Sequence, residues 1–188
     1  FFLAYDFSEG FARVIKKPEG DYLINREGVP VSGPYDVIYN FSEDMAKFQK
    51  GSVYGFVNKS GAVVIYPTPG YPGTFSEDLV SINTSEDLSG GFIDKECKIV
   101  IKPQYNWREG NFSEGLLPVK IKKGGFYFYI NKKGRTVIET KFEGTSNFSE
   151  GMAGFITGGK CGYINTKGKI VIAAQFRSAN NFSEGLGM

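Results

Sequence analysis

The sequence predicts an all-β protein. It reads as a tandem array of three-stranded antiparallel units of about 35 residues, stacked as an open, solenoid-like repeat; the alternative arrangement is a β-propeller-like closure. Three observations lead there. A tetrapeptide recurs six times, at Phe7-Ser8-Glu9-Gly10, Phe41-Ser42-Glu43-Asp44, Phe75-Ser76-Glu77-Asp78, Phe112-Ser113-Glu114-Gly115, Phe148-Ser149-Glu150-Gly151 and Phe182-Ser183-Glu184-Gly185, at steps of 34, 34, 37, 36 and 34 residues. The apolar runs between copies are short and bounded by Gly, Asn and Ser, and none keeps helical spacing long enough for a helix. A turn signature, Asn or Asp followed three residues later by Gly, joins two of the runs in nearly every unit.

The period divides the chain into units at 7–40, 41–74, 75–111, 112–147 and 148–181, with partial units at 1–6 and 182–188, so that the chain reads as a segment of a longer array. No unit is large enough to bury a core alone. The Phe of each tetrapeptide is expected to plug a shared core, for roughly 2 kcal/mol apiece. Ser and Glu beside it are expected to hold backbone amides in a turn. The competing reading is an exposed ladder of Glu9, Glu43, Glu77, Glu114, Glu150 and Glu184 that binds cations or a basic partner. One repeat apart, these carboxylates are too distant for paired acid–base work on a sugar.

Three strands follow each tetrapeptide, and unit five shows them most clearly. The first runs through Met152–Ile156, the second through Gly162-Tyr163-Ile164 and the third through Lys169-Ile170-Val171-Ile172. The join between the second and third reads Asn25-Arg26-Glu27-Gly28, Asn58-Lys59-Ser60-Gly61, Asp94-Lys95-Glu96-Cys97, Asn131-Lys132-Lys133-Gly134 and Asn165-Thr166-Lys167-Gly168. That pattern predicts a type I turn with a glycine bulge at positive φ. Cys97 stands where glycine belongs, so its hairpin is expected to be strained by about 1 kcal/mol and the least regular. Pro30 in the third strand of unit one requires an edge position. The stretch around Pro67, Pro69, Gly70, Pro72 and Gly73 predicts an irregular loop.

Composition narrows the function classes. Lys and Arg number 22 against 20 Asp and Glu, a net charge of +2, and the modest cluster in unit four flanks turns; nucleic acid is not an expected partner. There is no histidine, which removes the commonest general base and metal ligand. Cys97 and Cys161 make neither a metal pattern nor a redox pair by spacing, and as free thiols they lean towards a reducing compartment. No apolar run approaches a membrane span, so membrane insertion is not expected. No nucleophile–base pair, metal set or cofactor motif is found, and the chain is not expected to be an enzyme or to need a cofactor.

The unit as a whole (Phe-Ser-Glu-Gly-Leu/Met-Ala, then Gly-Tyr-Ile-Asn-x-x-Gly-x-x-Val-Ile) resembles the WG β-repeat family, also called KWG repeats, over essentially the whole chain. The name-giving Trp is replaced by Asp21, Tyr54, Gly90, Tyr127 and Cys161, while its Gly survives as Gly55, Gly91 and Gly162. The resemblance implies an all-β interaction module, met mainly in bacterial proteins, with no established catalysis and no site residue to carry over. The expected function is a non-catalytic scaffold for another protein. The alternative is a glycan- or cell-envelope-binding module that stacks its ligand on aromatics. Trp107, Tyr54, Tyr127 and Tyr129 are the candidate contacts, with Tyr22 as a further aromatic of the same kind.

Overall fold

Short β-branched and aromatic runs, cut by tight turns, fold here as strands throughout. The computed structural model describes residues 3–69, 72–83, 89–106, 110–120 and 125–187, and among them there is no helix. The first sheet holds β1 (Leu3–Ser8), β2 (Phe11–Lys16), β3 (Gly20–Ile24) and β4 (Pro30–Tyr35). The second holds β5 (Val37–Ser42), β6 (Met45–Lys50), β7 (Val53–Asn58) and β8 (Val63–Pro69). A third comprises β9 (Val80–Asn83), β10 (Ser89–Ile93) and β11 (Ile99–Asn106), and a fourth β12 (Leu116–Val119), β13 (Phe128–Asn131) and β14 (Thr136–Glu139). The fifth contains β15 (Gly144–Thr145), β16 (Met152–Thr157), β17 (Lys160–Asn165) and β18 (Ile170–Phe176), and β19 (Phe182–Ser183) pairs with β20 (Leu186–Gly187) in a final hairpin. Every pairing is antiparallel between chain neighbours.

The expected three strands are present in all five larger sheets, but the count of three is corrected: the first, second and fifth sheets carry a fourth. The reason lies in the tetrapeptide. Its Glu and the residue after it both have positive φ (50° and 91° at Glu9 and Gly10, 52° and 68° at Glu77 and Asp78). The flanking residues exchange two backbone hydrogen bonds, as between Ser113 and Leu116 at 3.0 and 3.1 Å. That is a two-residue type I′ hairpin turn. The chain entering it must therefore pair with the chain leaving it, which recruits the approach segment as an extra strand.

The second recurring turn has the expected form. Gly28, Gly61, Gly134 and Gly168 lie at φ of 73–81°, and each donates its N–H to the Asn three residues earlier. The Asn side chains accept two further amides, as Asn58 Oδ1 does from Ser60 and Ala62. Cys97 adopts φ 63°, so the strained geometry is real, but the expected irregularity is not: its N–H reaches Asp94 O at 3.0 Å like the others. The surrounding ladder over-determines the turn and the cysteine conforms. Pro30 sits on an edge strand, as required. Of the irregular loop expected around Pro67, Pro69, Gly70, Pro72 and Gly73, Pro67 and Pro69 instead close edge strand β8, Gly70 lies outside the described residues, and Pro72 and Gly73 belong to no strand.

The core lies between sheets. Met45, Phe56 and Ile65 of the second sheet pack with Phe75, Val80 and Ile93 of the third unit. Leu79, Phe92 and Ile101 meet Phe112, Leu117 and Ile130, and Tyr129 and Ile138 meet Phe148, Phe155 and Ile164. Each tetrapeptide Phe from Phe75 onward lies about 5 Å from an aromatic of the preceding unit: Phe56 to Phe75, Phe92 to Phe112, Tyr129 to Phe148 and Tyr163 to Phe182. Among the described residues no hydrogen-bonded ladder joins one sheet to the next and no closed sheet is present; successive sheets meet through these packed side chains.

Two variants test this account. Phe148→Ala should cost about 3 kcal/mol or more in denaturant melts, because a buried ring at a joint leaves a cavity. Cys97→Gly should stabilise the chain by about 1 kcal/mol in the same assay, since glycine carries no left-handed penalty.

Candidate functional site

The recurring polar residues are claimed by the joints between units. Each tetrapeptide Ser donates its hydroxyl to the carbonyl of the next tetrapeptide Phe: Ser8 to Phe41, Ser42 to Phe75, Ser76 to Phe112, Ser113 to Phe148 and Ser149 to Phe182, at 2.7–3.2 Å. Each Glu carboxylate accepts amides of the next turn. Glu9 accepts from Asp44, Glu43 from Glu77 and Asp78, Glu77 from Gly115, Glu114 from Gly151, and Glu150 from Glu184 and Gly185. Ser and Glu do hold a turn, then, but the turn belongs to the following unit. The ladder of carboxylates is built into the fold.

Lysines of the other turn neutralise part of that row. Lys59 bridges Glu9 (3.0 Å) and Asp44, and Lys95 bridges Asp78 (2.8 Å) and Glu43 (3.7 Å). The Lys59 ammonium holds the Asp44 carboxyl below its ordinary range, and Lys95 does the same to Asp78. Reciprocally, Asp44 and then Glu9 raise Lys59. Burial works against the charge on Lys95, but Asp78 and Glu43 outweigh it and leave its pKa raised. A carboxylate whose pKa is depressed on folding stabilises the fold at neutral pH and ceases to do so as pH falls through the lowered value.

The aromatic candidates fare unevenly. Trp107 lies outside the described residues. Tyr54 is half-buried on β7, with the same strand parity as buried Phe56, so it faces the neighbouring sheet. Tyr127 is half-buried with the Lys120 ammonium 4.2 Å from its ring centre. Tyr129 has 0% exposure, and its hydroxyl bonds to Thr145 Oγ1 and donates to Ser146 O at 2.8 Å; a ring so enclosed cannot meet a ligand at the surface. Tyr22 is half-buried, with its hydroxyl 3.2 Å from Glu19 Oε2. Tyr54 belongs to one unit and Tyr127 and Tyr129 to another, and among the described residues no contact brings these three together on one site.

A different surface does recur. Just after each Asn-x-x-Gly turn, the outermost strand exposes aliphatic side chains: Val29, Val63 and Val64, Ile99 and Val100, Val137, then Ile170 and Val171. Val64, Val100 and Val171 are 39%, 38% and 53% exposed. These strands (β4, β8, β11, β14 and β18) end their sheets, and among the described residues no strand pairs with their outer edge. Sequence reading places these residues in strands but misses their exposure, because a β-branched pair reads alike on an inner or an outer strand. Edge strands of this kind are open to pairing with another chain.

A family profile described as WG containing repeat matches residues 23–54, 91–124, 127–161 and 162–188. No curated protein matches the chain in sequence. Among solved structures it is similar to the computationally designed Ika8 protein (10% identity, TM-score 0.58, covering 97% of this chain and 65% of that one). It is also similar to BamB from Moraxella catarrhalis (13%, 0.52, 94% and 62%) and to Hsv2 from Kluyvelomyces marxianus (9%, 0.53, 83% and 60%). The chain thus spans somewhat less than two thirds of their length. At such identities the likeness concerns the fold, and the fold of these neighbours is propeller-like.

Tyr129 provides a pH test of the inter-sheet core. Burial pushes its phenol up to about 12, against about 10 in an unfolded chain. The folded state therefore binds the proton more tightly, and the contribution is complete below pH 10 and lost as pH rises towards 12. Spectroscopic phenolate titration should show one late tyrosine that disappears in Tyr129→Phe, while stability in denaturant falls by on the order of 2 kcal/mol across that window.

Proposed function

The chain belongs to the WG-repeat family, and on that premise we propose that it is a non-catalytic scaffold whose open, propeller-like arc of sheets holds another protein against its outer strands. The observation that carries this reading is the recurring exposed aliphatics, one or two per unit, on or just before the edge strands. A periodic apolar row exceeds the scattered exposed side chains of an ordinary surface. It combines side-chain burial with free backbone groups, the two ingredients of strand addition. The absence of any histidine and the structural employment of the recurring glutamates support a non-catalytic role. The glycan reading has less behind it, since Tyr129 is enclosed and Tyr127 lies beside the Lys120 ammonium.

The test replaces Val64, Val100 and Val171 together with lysine. These side chains are exposed, so stability should stay within about 0.5 kcal/mol at each position. Capture of partner proteins from extracts of the native host, quantified by mass spectrometry, should fall at least tenfold for the bound set, because a docked edge would have to bury unpaired charge. Undiminished capture by the triple variant would remove the outer strands from the function.

A further inference from the structure

Three positions recur in every unit and meet in the slot beside the tetrapeptide: two residues before its Phe, six residues after it, and four before the Asn or Asp of the other turn. In unit one they are Tyr5, Arg13 and Asp21. The guanidinium of Arg13 lies 4.7 Å from the Tyr5 ring centre and 2.7 Å from Asp21 Oδ2. In unit two they are Tyr39, Lys47 and Tyr54, and the buried Lys47 ammonium lies 4.4 Å from the Tyr39 ring centre and donates to Pro72 O at 3.0 Å. Both slots thus hold an aromatic ring beside a cation, and an open cleft of about 440 Å³ lined by Tyr5, Arg13 and Tyr39 lies against them. Unit three has the small residues Gly73, Ser81 and Gly90 there and unit four Gly110, Pro118 and Tyr127; in unit five the three are Ser146, Gly154 and Cys161.

In unit five a cleft of about 310 Å³ lies at that place, walled by Phe155, Ile156, Cys161 and Ala179, with Arg177 on its lining. That volume lies at the small end of ligand sites. The polar groups of the floor are already satisfied. Ser146 Oγ accepts the Gly154 N–H at 3.0 Å and donates to Asn147 O, Thr145 Oγ1 donates to Gly154 O at 2.9 Å, and the Cys161 thiol faces Arg177 O. A cavity with little unmet hydrogen-bonding demand holds water poorly and favours an apolar guest. The Arg177 side chain is exposed and has no carboxylate partner among the described residues.

We propose that this cleft binds a small planar aromatic carboxylate, its ring taking the place that Tyr5 and Tyr39 fill in units one and two and its carboxylate pairing with Arg177. Ring and guanidinium together would reproduce the aromatic–cation combination found in units one and two. None of Val64, Val100 and Val171 lines the cleft, so the lysine variants above leave its walls unchanged and the two proposals fail separately.

Calorimetric titration of the full chain with indole-3-acetate, phenylacetate and neutral indole tests it. Indole-3-acetate should bind, and Ser146→Tyr, which rebuilds the ring of units one and two, should abolish binding of all three probes. Arg177→Gln changes an exposed side chain and should fold normally; it should weaken the two acids about tenfold and leave indole unchanged. No binding of any probe at millimolar concentration overturns the proposal, as does binding that survives Ser146→Tyr. Acid binding undiminished in Arg177→Gln overturns the assignment of the carboxylate to Arg177.

Discussion

The contact between one tetrapeptide and the next is what the rest of the structure depends on. Hydrogen-bonded ladders stop at the edge of each sheet, so something else must fix how sheets sit against one another. A Ser hydroxyl on a Phe carbonyl and a Glu carboxylate on turn amides do this, repeated between units with ring packing beside them. The polar pair gives direction and register, while the ring supplies most of the burial. Neither alone would suffice. A sheet face packed only by aliphatics slides easily, and a polar contact without a dry neighbour competes with water.

The turn chemistry explains why the same four residues recur. A type I′ turn needs two consecutive left-handed residues, and glutamate is an unfavourable choice for one of them. Its carboxylate recovers that cost at the joint by accepting charge-assisted bonds. Where glycine at the fourth position is replaced, as at Asp44 and Asp78, a second left-handed penalty arises. Those are the two units whose following turns bring Lys59 and Lys95 onto the aspartate. Substitution and compensation arrive together within one unit.

Much of this was legible in the sequence. The period, the absence of helices and the Asn-x-x-Gly bulge turns rest on local chemistry, and the structure follows them, even at Cys97, where the ladder imposes the glycine conformation on another residue. The tetrapeptide was legible as structural but not in its mechanism. Glutamate at positive φ runs against propensity, so a hairpin turn there is invisible until the backbone is seen. The partners of Ser113 and Glu114 lie 35 and 37 residues away, beyond any local pattern. The candidate aromatics show the same limit. Tyr129 and Tyr127 look alike in sequence, yet one is sealed between sheets and the other lies half-open beside a lysine. The emptied slot of unit five emerges only when three separated positions are seen to meet.

The glutamate joints all point the same way: Glu9, Glu43, Glu77, Glu114 and Glu150 each reach forward to the following turn, and among the described residues none reaches back to the preceding one. Peeling units from the two ends is therefore not equivalent. Losing a trailing unit strands an acid, which water solvates readily; losing a leading unit strands left-handed backbone amides that had been braced by a charge. Fraying under force or heat should accordingly be asymmetric, with the leading side of any break loosening its neighbour more than the trailing side does.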